Sequence, residues 1–124
     1  MQKALLVGAG GFLGSVARYL VTGLAQSWFG SLFPWGTATV NLLGSFLAGF
    51  IVTLGVETFP MSGNARLFLV VGVLGGFTTF SSFGYETVRL FQSGSYGLGA
   101  LNAALNIILG LVAVVLGVAA ARAW

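Results

Sequence analysis

The chain has 124 residues, 57% of them hydrophobic and 6% charged, with five lysines and arginines against two acids and a formal net charge of +3. Soluble domains carry about 25% charged residues, so this composition excludes an ordinary water-soluble fold and a nucleic-acid partner and points to a chain embedded in a lipid bilayer. With no cysteine and no histidine, disulfides, thiol catalysis, cysteine metal sites and imidazole proton shuttles are excluded as well.

The first apolar stretch covers residues 4–25, long enough to cross the hydrocarbon core. Lys3 ahead of an apolar run has the look of a signal peptide. The run continues through Arg18 and Tyr19 to Leu24 with no small-residue cleavage site, and it is therefore predicted to be a retained helix. The segment from Lys3 to Gly14 also reads like a strand entering a glycine-rich dinucleotide turn, as in extended short-chain dehydrogenases. That fingerprint needs a soluble βαβ unit and an acid about 20 positions on. The next acid is Glu57 and apolar spans follow, so the glycines are read as packing positions.

Polar and turn-forming residues from Gln26 to Gly36 separate a second span, 36–57, which carries Asn41 and Ser45. Pro60 to Asn64 precedes a third span, 67–91, and Gln92 to Ser95 precedes a fourth, 97–121. Asn102 and Asn106, four apart, share one face of the fourth helix. The expected architecture is an all-α membrane protein, a single domain of residues 1–124 with four transmembrane helices and almost nothing outside the bilayer.

The third span contains Gly75-Gly76-Phe77-Thr78-Thr79-Phe80-Ser81-Ser82-Phe83. Adjacent glycines, β-branched threonines and clustered hydroxyls disfavour an uninterrupted helix. Irregular backbone at membrane depth must be buried in protein or line a polar cavity, so a broken third helix forming an ion or substrate site is predicted. Small residues at close-packing spacing, in Gly10 and Gly14, Gly44 and Ala48, and Gly72 and Gly76, suit near approach of helix backbones.

An even number of spans places Lys3, Arg66 and Arg122 near one face and Arg18 and Arg89 toward the other. Three against two is a weak instruction under the positive-inside rule. Two topologies stay open on charge: insertion in both orientations with antiparallel pairing, or one fixed orientation. Four short helices are also few to enclose a pore, which favours assembly. Glu86 is the only acid inside a span, Glu57 standing at the last position of the second, whereas amides and hydroxyls supply donors that suit an anion. Phe80 and Phe83, three apart, share a helix face, and phenyl edges carry the positive end of the ring quadrupole.

The third-span motif, with Gly36-Thr37 ahead of Asn41, Gly11 through Gly14 to Arg18, and Asn106, resembles the Fluc/CrcB fluoride channels over nearly the whole chain. The resemblance implies a passive fluoride channel and no enzyme. It also implies an antiparallel, dual-topology homodimer with two pores, multi-pass in the cell inner (plasma) membrane, that reduces fluoride toxicity. Phe80 and Phe83 would line each pore with Asn41 beside them, and the Thr79 and Ser81 hydroxyls belong to the same pore set. Asn102 and Asn106 would form a fourth-helix polar track, and Arg18 would lie at a pore mouth. Gly75 and Thr78 would give backbone carbonyls to a structural sodium ion at the dimer interface, with no organic cofactor. The sequence departs from the family at Gly110, where relatives often carry a hydroxyl, and at Ser82, where threonine is commoner. The alternative is a small multidrug-resistance-type proton-coupled exporter, which relies on a carboxylate in its first helix; the first span here has none.

Overall fold

The computed structural model describes residues 1–124, and its elements are all helical. Four stretches are long and apolar enough to cross a membrane: α1 (Gln2–Phe29), α2 (Trp35–Thr58), a third span (Gly63–Gln92) and α5 (Tyr96–Arg122). The third span is two helices, α3 over residues 63–77 and α4 over Phe80–Gln92. The helices outrun the apolar runs by a few residues, because helical hydrogen bonding carries on through polar residues such as Gln26 and Ser27.

What ends each helix is legible locally. Gly30, at φ 90°, takes a conformation that L side chains avoid and terminates α1 with its N–H on the Gln26 carbonyl at 2.8 Å. The Ser62 hydroxyl caps α3 by accepting from the Ala65 N–H at 3.1 Å. Gly94, at φ 82°, turns the chain between α4 and α5.

Two glycine seams hold the bundle. Gly10 and Gly14 of α1 lie on the backbone of α3 at Phe68, Gly72 and Val73, and a Cβ on Gly76 would stand 2.7 Å from the Gly11 carbonyl oxygen. On the other seam Gly49 of α2 meets the Val114 carbonyl of α5, and Gly117 of α5 meets the Phe46 carbonyl of α2. Partner numbers rise together along the first seam, and beside the second they rise from Asn41 with Asn106 through Ser45 with Gly110 to Glu57 with Arg122, so α1 runs parallel to α3 and α2 parallel to α5. Gly36 against Thr22 joins the end of α1 to the start of α2, and Phe91 beside Gly99 joins α4 to α5. Lipid tails offer no hydrophobic drive for helix association, so contact at this range, and the dispersion it permits, replaces a bulky core. The buried residues are correspondingly small for the most part, while Leu5, Phe12, Leu20, Ile108, Leu111 and Leu116 are exposed on the outside of the bundle.

Three stretches wind as π-helix: Leu54–Thr58, Leu67–Leu74 and Leu105–Leu109. Such wide turns are rare and cluster at functional sites. The last of them carries Asn106. At one end of the bundle Arg122 holds Glu57 at 2.9 Å, tying α2 to α5. Both side chains are exposed, so the pair adds little to stability.

A Cβ at Gly14 would collide with the Val73 carbonyl, whereas Gly8 has nothing within 4 Å. Gly14→Ala is therefore expected to destabilise the fold by ~1–3 kcal/mol, the usual cost of overpacking, with Gly8→Ala close to neutral. Thermal unfolding of the purified protein in detergent distinguishes the two.

Candidate functional site

The helix break falls on Thr78 and Thr79, which are extended at φ −89°, ψ 157° and φ −149°, ψ 116°. The break thus lies inside the expected stretch, at its threonines and not at its paired glycines. Gly75 keeps helical angles, and Gly76 belongs to the seam with α1. Both are helical because the close approach to α1 needs a regular α3 without side chains there.

An extended residue at membrane depth needs partners for its peptide groups. Asn41 of α2 supplies both for Thr79: Oδ1 accepts the Thr79 N–H at 2.8 Å, and Nδ2 donates to the Thr79 carbonyl at 3.0 Å. The side-chain amide thus pairs with Thr79 as a neighbouring strand would. The Thr79 hydroxyl in turn caps α4 by accepting from the Ser82 N–H at 3.2 Å, and it lies 3.3 Å from the Ser81 hydroxyl and 3.2 Å from that of Ser82. One residue therefore ends one helix and begins the next.

From Asn41 a line of hydrogen bonds runs along α5. Asn41 Nδ2 donates to Asn106 Oδ1 at 2.8 Å, and Asn106 Nδ2 donates to Asn102 Oδ1 at 3.1 Å and to the Asn102 carbonyl at 2.9 Å. Asn102, fully buried, donates through Nδ2 to the Thr87 hydroxyl at 2.9 Å, and Thr87 donates to the Phe83 carbonyl at 2.7 Å. Asn102 and Asn106 do share a face, and they meet Asn41 on it. Asn41 Nδ2 and Asn106 Nδ2 each have two acceptors already, so an anion that binds either amide must take over an existing bond.

A cleft of about 540 Å³ opens beside this line, bordered by Asn41, Ser45, Thr79, Phe80, Phe83, Asn106 and Gly110. The rings of Phe80 and Phe83 meet edge to face, with centroids 5.4 Å apart and planes at 71°. Phe83 is buried at 7% exposure, whereas Phe80 is 81% exposed and stands out of the subunit. Gly110 leaves the next step of the track without a side chain. A Cβ built there would lie 3.8 Å from the Ser45 hydroxyl, in ordinary contact.

Arg18 is placed against the break, with Nε donating to the Gly76 carbonyl at 3.0 Å. It supplies a donor to one of the carbonyls that the end of α3 leaves without a helical partner. The Leu74 carbonyl takes both the Thr78 N–H and the Thr78 hydroxyl at 3.0 Å. The Gly75 carbonyl is different. Its regular helical donor would be the Thr79 N–H, which points to Asn41 instead. The Thr78 carbonyl likewise loses the Ser82 N–H to the Thr79 hydroxyl. Gly75 and Thr78 thus carry carbonyls whose usual donors are held elsewhere, oxygen groups of the kind a hard cation takes. Midway along α4, Thr37 donates to Glu86 Oε1 at 2.7 Å, and Glu86 Oε2 is buried with no hydrogen-bond partner.

The family model described as CrcB-like protein, Camphor Resistance (CrcB), matches residues 5–118.

The chain belongs to the CrcB-like family.

Relatives named fluoride-specific ion channel FluC include one from Thermus thermophilus, 52% identical over 94% of this chain and 93% of its own length. One from Chlorobium luteolum is 52% identical over 98% and 94%, and one from Clostridium perfringens is 46% identical over 98% of each chain. Two features of this CrcB-like chain escaped the sequence reading. For Thr87 the one local signal is its place four residues beyond Phe83, on the same helical face. The pairing of Thr37 with Glu86 joins residues 49 apart and has no local signature.

Asn41→Leu removes both partners of the Thr79 peptide. A buried polar group left unsatisfied costs ~1–3 kcal/mol, so this variant is expected to unfold at clearly lower temperature and to expose the Thr79 amide to hydrogen exchange. Gly110→Ser, by contrast, is expected to fold as the parent does, because the neighbouring Ser45 hydroxyl stands at contact distance; thermal unfolding of both variants checks the pair.

Proposed function

We propose that this protein is a passive, fluoride-selective channel of the plasma membrane, working as an antiparallel homodimer. The observation that carries the reading is the meeting, at the break of the third span, of the asparagine line with the ring pair of Phe80 and Phe83. The names of the CrcB-like relatives point the same way.

Fluoride is small and strongly hydrated, so a selective path must replace its water with closely spaced donors and still release it. The Asn41, Asn102 and Asn106 amides, the Thr79 and Ser81 hydroxyls and the ring edges of Phe80 and Phe83 are such a set. They have no turnover chemistry to perform. The donors are bound to one another before the ion arrives. An entering fluoride therefore exchanges with an oxygen already held by Asn41 or Asn106, which keeps binding weak enough for passage. Chloride is larger and is opposed by the narrow approach between rings. Fluoride enters a cell as the neutral acid and is trapped as the anion at cytoplasmic pH. A potential of 100 mV, negative inside, then drives each anion out with about 2.3 kcal/mol.

The 81% exposure of Phe80 supports pairing with a second copy, since a pore ring standing out of its own subunit needs another surface to close the path. In that assembly the carbonyls of Gly75 and Thr78 would hold a structural sodium ion, which would offset the carbonyl dipoles at the break. Arg18, on the neighbouring Gly76 carbonyl, would contribute positive charge that draws anions toward the same region. A proton-coupled exporter finds no support, because α1 carries no carboxylate.

Liposomes holding the purified protein, loaded with fluoride and followed with a fluoride electrode, test the reading. Rapid fluoride release without chloride release and without a proton gradient is expected; no release from folded protein would refute it. Phe80→Ile and Phe83→Ile should each suppress release while leaving the assembly intact on size-exclusion chromatography, and near-parental flux in both would remove the rings from the path. Exchange of sodium for a bulky organic cation during purification should lower the unfolding temperature of the assembly.

A further inference from the structure

We propose that Thr87 is a positioning residue of the ion path, one that fixes the direction in which the three asparagine amides point. The inference rests on the channel reading above and adds to it a residue outside the ring pair, the break and the asparagines.

The line of bonds has one sense. The Thr79 N–H donates to Asn41, Asn41 to Asn106, Asn106 to Asn102, Asn102 to Thr87, and Thr87 to the Phe83 carbonyl. Each amide could in principle turn over and exchange its oxygen with its nitrogen. Both ends forbid it. A backbone N–H can only donate and a carbonyl can only accept, so Thr79 at one end and Phe83 at the other impose the same polarity. Thr87 is the link at which the second constraint enters. Its hydroxyl spends its single proton on the Phe83 carbonyl and is left with only acceptor capacity toward Asn102.

A threonine hydroxyl bonded four residues back is common in membrane helices and by itself signifies nothing. Here the same oxygen also receives the amide of Asn102, which is fully buried and so shut off from solvent. Without that acceptor the polarity is held from the Thr79 end alone, and the buried Asn102 Nδ2, left without a partner, can draw the amide away from Asn106 to find another. Asn106 would then lose Oδ1 of Asn102 as its partner, and the disturbance would pass to Asn41 at the break. Because Thr87 also binds the carbonyl of Phe83, it ties the amide line to the helix that carries the rings. Its contribution is alignment, and contact with the ion falls to the asparagines and rings.

The test is fluoride efflux from liposomes for the parent, Thr87→Val, Thr87→Ser and Asn102→Ala, together with the Thr87→Val/Asn102→Ala double variant. Valine keeps the shape and removes the acceptor, so a fall in flux of about tenfold or more is expected, in line with an unsatisfied buried amide. Serine should restore flux to within about twofold of the parent, since the hydroxyl alone is required. The double variant should be no slower than Asn102→Ala, because Thr87 acts through that amide. Parental flux in Thr87→Val, a serine variant as slow as the valine one, or losses that multiply in the double variant would each overturn the proposal. Thr87→Ala removes the same acceptor without adding a methyl group and replaces the valine variant should that one misfold. Failure of the parent itself to release fluoride would instead defeat the channel reading, so the two are told apart in one experiment.

Discussion

The pairing of the Asn41 amide with the peptide of Thr79 is the interaction on which the rest of the site depends. A membrane helix cannot open its hydrogen bonding in lipid unless other groups take the freed donors and acceptors. Asn41 takes one of each. That single side chain permits Thr78 and Thr79 to be extended, and Thr79 can then cap α4 through its hydroxyl. The position of the ring pair follows, because Phe80 and Phe83 occupy the first turn of the helix that Thr79 starts. So does the release of the Gly75 and Thr78 carbonyls from their regular donors.

Asn41 can reach Thr79 only if α2 and the third span are held close and in register, and that is the work of the glycines. Gly44, one turn beyond Asn41, lies directly on the Thr78 methyl, while Gly10 and Gly14 hold α3 against α1. The parallel seam between α2 and α5 fixes Asn41 opposite Asn106 by the same backbone contacts that place Gly49 on Val114. Packing and polar bonding are therefore coupled. In a bilayer an interhelical hydrogen bond contributes about 0.6 kcal/mol on average, too little to assemble the bundle by itself. The seams set the distances, and the bonds choose among the arrangements that those distances allow.

Much of this was legible in the residues. The four spans followed from apolar length and turn punctuation, and the polar stripe followed from asparagines four apart. The glycine pairs of α1 and α3 were recognisable as packing positions, and they pack on each other. The exact place of the break was not legible, because glycines, threonines and clustered hydroxyls all disfavour helix locally whereas a distant asparagine decides which residue opens. Arg18 illustrates the same limit. Nothing local announces that its guanidinium rests on the Gly76 carbonyl 58 positions away. Thr87 was hidden for a related reason: a threonine in a membrane helix ordinarily bonds its own backbone, and only the tertiary arrangement reveals that Asn102 also depends on it. Residues whose roles arise from one helix face are readable from spacing; those whose roles arise from a second helix are not.

The most direct test of whether fluoride passes by exchanging with the amide line is solid-state NMR of the protein in bilayers, with nitrogen-15 in the asparagine side chains. Titration with sodium fluoride should shift the side-chain signals of Asn41 and Asn106 and bring fluorine-19 into dipolar contact with them, while equal sodium chloride leaves them unchanged. Side-chain signals that ignore fluoride under conditions where the same vesicles release it would contradict an ion path along the asparagines and place the route elsewhere in the bundle.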